Sequence, residues 1–150
     1  MDPYNPVTPE ARALAQSLLQ PATYAALATT YEGRPMVTRI GCLWLRGQGM
    51  GMLVSDLSDH SKALAADPSC ALLVGEPGDK GDPLTHPRIT LRGRAEEIDK
   101  TVHRDHWLAE RPKAKLYYDF SDFRLLAIVL DDAMLNGGFG KAYRLTAADL

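Results

Sequence analysis

The stretch SDLSDHSKALAADPSCALLVG, Ser55–Gly75, predicts a polar turn, a short helix and a buried strand. The helix should end at Asp67, because a residue before proline avoids helical backbone angles. Hydroxyl groups and a cation gather around its start, on Ser55, Ser58, Ser61 and Lys62. Serine there is typical of a capped helix, but hydroxyls, an ammonium group and free backbone N–H groups also bind phosphate. The segment therefore predicts either a capped helix or a phosphate site.

Predicted strands lie on both sides of this segment. The upstream strands are Tyr24–Thr30, Pro35–Leu45 and Met50–Val54, and the short turns between them imply antiparallel pairing. The downstream strands are Cys70–Gly75, Arg88–Ile98, Arg124–Leu130 and Gly140–Leu145. Further helices are expected from Thr8 to about Gln20, over Lys100–Glu110 and over Lys113–Tyr118. The pattern predicts a mainly β fold with short helices, in the form of a small antiparallel barrel.

The strand Arg88–Ile98 has one apolar and one basic face. Apolar residues alternate with Arg88, Thr90, Arg92 and Arg94. The basic face fits either a solvated sheet surface or a surface that meets anionic or carbonyl groups of a ligand. Spacing alone leaves both interpretations open.

Composition limits the class of protein. The chain has 150 residues, of which 45% are hydrophobic and 24% charged, which predicts one globular domain over residues 1–150. A net charge of −2 provides no general attraction for nucleic acid. Cys42 and Cys70 lie in apolar runs and are expected to be buried free thiols. No leader-like or membrane-spanning stretch is present, so we expect a cytoplasmic protein without membrane contact.

Other motifs give no catalytic or metal site. His103 and His106 share a helix face, but no third ligand accompanies them, so surface histidines are expected. No nucleophile elbow is present, and no side chain is an obvious acid or base. In the segment from Asn136 to Ala142, three glycines surround Phe139. This pattern fits either a tight turn with a buried phenylalanine or an aromatic contact with a planar cofactor.

Together these segments resemble the flavin-binding split-barrel proteins related to pyridoxamine 5′-phosphate oxidase, and specifically their haem-utilisation branch. The resemblance covers nearly the whole chain. It is carried, in order, by Ser55–Ser61, Asp67-Pro68, Gly81–Leu84, Arg88–Ala95, Phe120–Phe123 and Gly137–Ala142.

The resemblance implies a six-stranded antiparallel split β-barrel that forms a homodimer, with FMN bound in a cleft between subunits. By position, Arg39, Ser55, Ser61 and Lys62 would surround the FMN phosphate. Thr38 and Val54 would lie beside the flavin ring, and Arg88 and Thr90 would supply donors near the flavin or across the dimer. The flavin would then carry electron or hydride transfer for an unidentified small-molecule substrate.

The sequence departs from the family pattern at two points, and two other functional hypotheses stay open. Ala63 stands where relatives of this branch carry asparagine, and the chain ends at Leu150, where longer relatives continue into a C-terminal domain. The second hypothesis is a haem-binding or haem-degrading protein on the same barrel, with His60 or His86 as the iron ligand. The third is a dimeric binding module without a cofactor.

Overall fold

The computed structural model describes all 150 residues and contains three α-helices and seven β-strands. The helices are α1 (Pro9–Leu19), α2 (Asp59–Ala66) and α3 (Arg104–Glu110). The first strands are β1 (Tyr24–Tyr31), β2 (Arg34–Leu45), β3 (Gly49–Ser55) and β4 (Ser69–Val74). The remaining strands are β5 (Arg88–Ile98), β6 (Phe123–Asn136) and β7 (Ala142–Leu145).

Six strands close into an antiparallel barrel. Their order is β3-β2-β1-β4-β5-β6, and β3 pairs with β6 to complete the ring. The seventh strand, β7, adds to the edge of β6 beyond the barrel. The predicted mainly β fold and the six-stranded antiparallel split barrel are confirmed. No helix is long and apolar enough to span a membrane.

The apolar residues separate into two clusters. The larger fills the barrel and includes Leu27, Met52 and Leu72, while α1 closes one end with Ala15 and Leu19. The smaller lies outside the barrel wall, where α3 and the following 3₁₀ turn pack on β2, β3 and β6. Cys42 and Cys70 are buried free thiols, as expected, and burial raises their pKa values to about 12 and about 11.

Strand β6 is longer than its sequence predicts. We expect it to end at Leu130, because Asp131 and Asp132 are poor strand residues, but it continues to Asn136. A register shift between Arg92 and Gly93 of β5 accommodates the acidic pair. The Arg92 guanidinium then donates to both carboxylate oxygens of Asp132, at 2.7 and 2.6 Å. An ion pair across the sheet thus keeps the two residues in the strand.

The helix predicted over Lys100–Glu110 begins four residues later, at Arg104. The Asp99 carboxylate accepts from the backbone N–H and the hydroxyl of Thr101, which favours a turn at this point. The Lys100 ammonium donates to the backbone carbonyls of Tyr118, Phe120 and Phe123 at 2.7–2.9 Å. The helix predicted over Lys113–Tyr118 is a 3₁₀ turn, Pro112–Leu116.

Candidate functional site

The polar turn after β3 brings the chain to the start of α2. The Ser55 hydroxyl donates to Asp122 Oδ2 at 3.0 Å and accepts from the backbone N–H of Leu57 at 3.2 Å. Ser58 occupies the N-cap position of α2, but its side chain makes no capping hydrogen bond. Ser58 is therefore at the N-cap position, as the capping interpretation requires, but its hydroxyl does not cap the helix. The Ser55 hydroxyl instead stabilises the turn.

Beside α2 lies a cavity of about 370 Å³, which we call the α2 cavity. Val54, Ser61 and Lys62 line it. The Ser61 hydroxyl is buried and has no hydrogen-bond partner, which is unusual for a buried polar group. The Lys62 ammonium forms no ion pair. A hydroxyl and a cation are thus left free to meet a polar ligand.

Two carboxylates and a guanidinium form the opposite wall of the α2 cavity. Arg124 Nε donates to Asp56 at 2.7 Å, and Arg124 Nη1 donates to Glu97 at 3.0 Å. Arg124 is thus held by both carboxylates, and the three groups together keep one net negative charge. Lys62 is therefore the cation in this cavity that no carboxylate already holds.

Thr38 and Arg39 lie in a second hollow of about 370 Å³, the β2 hollow, formed on the barrel by β1, β2 and the end of β4. Arg39 is exposed and forms no ion pair. Its guanidinium carbon lies 5.7 Å from the ring centroid of Tyr24, close enough for a cation–π contact. The structure thus separates Arg39 from Lys62, although the family resemblance places both at one phosphate.

His60 contacts one residue of the β2 hollow and precedes two residues of the α2 cavity in the chain. Its Nδ1 atom lies 3.1 Å from the Thr38 hydroxyl, and its sequence neighbours Ser61 and Lys62 line the α2 cavity. Its Nε2 atom has no hydrogen-bond partner. Burial lowers the pKa of His60, while the Asp59 carboxylate acts in the opposite direction. The imidazole is therefore predominantly neutral near neutral pH, the form that binds metals.

Arg88 and Thr90 lie outside both hollows. Arg88 Nη1 donates to the backbone carbonyls of Leu84 and His86 at 2.7 and 3.2 Å, so this guanidinium supports the loop before β5. Thr90 is half-buried on β5, opposite Leu73 of β4. The neighbouring Arg92 and Arg94 pair with acidic residues at the surface. The basic face of β5 is largely a solvated, charge-paired surface.

His86 uses both ring nitrogens within its own loop. Its Nδ1 atom accepts from the backbone N–H of Gly78, and Nε2 lies 2.7 Å from the carbonyl oxygen of Lys80. Iron binding by His86 would require this loop to open. Of the two histidines proposed as iron ligands, His60 is the one with a free nitrogen.

Phe139 is fully exposed, at 100% of its accessible surface, so the buried alternative for this residue is wrong. Its turn is held by the hydrogen bonds from Gly137 N–H to the Lys141 carbonyl and from Gly138 N–H to the Asn136 side chain. Sequence reasoning did not identify the Arg124 pairs or the Thr38–His60 contact. The partners are 22 to 68 residues apart, and no local pattern signals them.

The chain is similar in sequence or in structure to several other proteins. One relative, the non-canonical haem oxygenase HOZ from Arabidopsis thaliana, is 36% identical over 102 residues, which are 65% of this chain and 30% of that protein. The structure of a haem-binding protein from Mycobacterium smegmatis superposes with a TM-score of 0.85 at 30% identity. That match covers 96% of this chain and 61% of the other. The chain thus spans less than two thirds of both proteins.

The fold recurs at lower identity. The haem storage protein HutZ from Vibrio cholerae superposes with a TM-score of 0.65 at 16% identity, covering 89% of this chain and 97% of that one, which shows a shared fold. The family model described as pyridoxamine 5′-phosphate oxidase matches residues 11–133, most of the chain. The chain therefore belongs to the pyridoxamine 5′-phosphate oxidase family.

Proposed function

We propose that this protein binds haem and that His60 is the iron ligand. The observation that carries the proposal is the contact between His60 Nδ1 and the Thr38 hydroxyl. In the tautomer that donates from Nδ1 to Thr38, the lone pair is on Nε2, which has no other partner. Histidines that bind metals commonly donate their second ring nitrogen in this way. Thr38 would then orient the ring and fix its tautomer.

The charges around His60 also suit haem. Arg39 lines the β2 hollow and Lys62 lines the α2 cavity, and neither is paired with a carboxylate. Haem carries two propionates, which would be matched by these two cations. Bound haem would supply iron for ligand binding or oxygen chemistry, whereas the protein would supply the ligating nitrogen of His60, the charge balance and the apolar walls.

A second copy of the chain would complete the walls of this site. Apolar side chains project outward from neighbouring strands around the β2 hollow, and Val37, Leu73 and Tyr24 are 68%, 47% and 44% exposed. Between them lie small residues, since the register pairs Ala28 with Val37 and Ala26 with Leu73. Arg39 extends from the same face, since the register also pairs it with Ala26. A largely apolar face with one arginine is typical of a contact between subunits. A homodimer would therefore cover the face and enclose the β2 hollow.

The relatives support haem as the ligand class. The plant relative is a haem oxygenase and the mycobacterial protein binds haem, at 36% and 30% identity. Neither name extends to this chain without a test, because the chain spans only 30% and 61% of those proteins. Haem binding is the property that both names share, and we propose it in preference to haem degradation.

The test is an absorption titration of the purified protein with ferric haem, in the wild type and in His60→Ala. We expect a saturable Soret change in the wild type. The substitution removes the proposed ligating nitrogen, so we expect a shifted Soret maximum and an affinity loss of roughly tenfold or more, about 1.4 kcal/mol.

His106→Ala is the matched control, because His106 is exposed on α3 and lies outside both hollows. Its spectrum and affinity should equal those of the wild type. A wild-type protein without a saturable change would refute haem binding. A His60→Ala protein with the wild-type spectrum would refute the ligand assignment.

A second candidate is FMN, which the α2 cavity favours. The unpartnered Ser61 hydroxyl and the unpaired Lys62 are suitable donors for a phosphate, and Val54 offers an apolar surface beside them. Bound FMN would support the oxidoreductase hypothesis, since the flavin carries the redox chemistry itself. One phosphate would then meet one free cation here, because Arg39 lines the neighbouring hollow.

Flavin binding is tested by fluorescence titration with FMN. If the α2 cavity holds the phosphate, Lys62→Ala should weaken binding roughly tenfold or more, whereas Lys113→Ala, on the exposed 3₁₀ turn, should leave binding unchanged. Equal affinity of the two variants would reject this placement. Adding Arg39→Ala to Lys62→Ala shows whether both cations serve one phosphate.

A further inference from the structure

The barrel has a gap at the end opposite α2. Strand β3 pairs with β6 only as far as Gly51 and Ala127, and β7 joins the same edge of β6 from Ala133 onward. Between these points residues 128–130 and Asp132 of β6 have partners on the β5 side alone, and Asp131 has no partner strand residue. The β2–β3 turn and the end of α1 surround the gap. The result is a cavity of about 610 Å³, which we call the barrel-gap cavity.

This cavity is larger than either hollow beside His60 and shares no lining residue with them. Its volume lies within the range of small-molecule sites. Its floor is apolar and includes Trp44, Ile128 and Leu130. Trp44 is half-buried, so part of its ring remains open to the cavity. The floor therefore favours a flat apolar group.

The rim of the cavity is polar, and its one cation has no ion-pair partner. Arg46, on the β2–β3 turn, lines the cavity and forms no hydrogen bond or ion pair. Glu96 is the only acidic side chain of the lining, and it lies 3.6 Å from the guanidinium of Arg94. Arg46 is thus the unpaired cation of the rim, and a guanidinium binds a carboxylate through two parallel hydrogen bonds.

Two glutamines of α1 add directional donors and acceptors. Gln20 Nε2 donates to Gln16 Oε1 at 3.0 Å, and both side chains line the cavity. This bond fixes the two carboxamides against each other. It leaves the Gln16 amino group as a donor and the Gln20 oxygen as an acceptor.

We propose that the barrel-gap cavity binds an amphipathic monocarboxylate with a flat apolar body. The apolar body lies on Trp44 and Ile128, and the carboxylate meets Arg46, with the Gln16 amide as an additional donor. This site is separate from the proposed haem site and does not depend on haem binding.

The test uses naphthoate as the probe and neutral naphthamide as the matched ligand control. The chain has two tryptophans, of which Trp107 is buried in the smaller cluster and Trp44 lines the cavity. A proton–nitrogen correlation spectrum reports both indole N–H groups, and Trp44→Phe assigns them. We expect naphthoate to shift the Trp44 signal in a saturable way and to leave the Trp107 signal in place.

Arg46→Gln should weaken naphthoate binding roughly tenfold or more, because the carboxylate loses its charged partner. Arg34→Gln is the control, since Arg34 is exposed, unpaired and outside this cavity. Naphthamide should bind the wild type as weakly as naphthoate binds the Arg46 variant. The proposal is overturned by the absence of a saturable Trp44 shift, by equal binding of naphthamide, or by an Arg46 variant that binds naphthoate normally.

Discussion

At Gly93, a single added methyl group would meet the backbone of the neighbouring strand β6. A Cβ atom there would lie 2.0 Å from the Val129 carbonyl oxygen, and β5 shifts its register on β6 at this point. Gly93→Ala must displace one of the two strands, so we expect the free energy of unfolding to fall by about 3 kcal/mol. Urea denaturation measures it.

Gly41→Ala is the matched control for this substitution. A Cβ atom at Gly41 would meet the flexible guanidinium of Arg111 at 3.4 Å, which is ordinary contact. Its effect should stay below about 1 kcal/mol. Equal losses at the two positions would show that close backbone approach is not what requires Gly93.

His60 should make stability depend on pH. Burial lowers its pKa below the ordinary value of 6.5, so the unfolded chain takes up the proton first as the pH falls. The contribution of the neutral imidazole to the free energy of unfolding is therefore complete above pH 6.5, and it is lost as the pH falls toward the folded-state pKa. We expect His60→Gln to flatten the stability profile between about pH 7 and pH 5, as followed by urea denaturation without haem.

The exposed His106 provides the comparison for this profile. His106→Gln should retain the wild-type slope. If His60→Gln also retained it, the buried imidazole would not be the source of the pH dependence.

At the scale of elements, Lys100 holds the segment between α3 and β6. Its ammonium donates to three backbone carbonyls, and the Tyr118 hydroxyl donates to the carbonyl of Lys100 itself. Lys100→Met keeps much of the side-chain volume and removes the donors. We expect a loss of about 2 kcal/mol in unfolding free energy and faster amide exchange over residues 117–123.

Lys113→Met tests whether loss of any nearby lysine has this effect. Lys113 lies on the exposed 3₁₀ turn and forms no ion pair. Its substitution should change neither stability nor exchange. Unchanged exchange over residues 117–123 in Lys100→Met would contradict the proposed role of the ammonium.

At the scale of the whole molecule, the apolar face around the β2 hollow should pair two chains. Val37→Lys places a second cation beside Arg39, among Leu73, Tyr24 and the alanines of that face, and a buried unpaired charge is costly. We expect it to shift the protein from dimer to monomer in sedimentation velocity.

Val102 provides a matched position away from this face, since it is 73% exposed against 68% for Val37. Val102→Lys should leave the dimer intact. A monomeric wild type, or dissociation by both substitutions alike, would exclude this face as the dimer contact.

The sequence predicted the barrel because its strands carry local signals. The alternation from Arg88 to Ile98 gave the bounds of β5 as observed, and tight turns identified the hairpins. The extension of β6 depends instead on Asp132 meeting Arg92, 40 residues away. Such a contact exists only after the barrel closes, so no window of sequence contains it.

The sequence predicted several of the residues that line the two hollows but not their arrangement. The family resemblance placed Thr38, Arg39, Ser61 and Lys62 near one ligand, whereas the structure divides these four residues between the two hollows. Their division between the hollows follows from barrel curvature and strand register. The pairing of Arg124 with Asp56 and Glu97 has the same origin, because β6 brings that guanidinium between two distant segments.

The most direct test of haem binding through His60 is the absorption spectrum of ferric haem with His60→Gly, recorded before and after imidazole is added. Removing the side chain leaves space where free imidazole can replace the missing ligand. The account predicts an altered Soret band in the variant and return of the wild-type band with imidazole. A wild-type Soret band in His60→Gly without imidazole would contradict it.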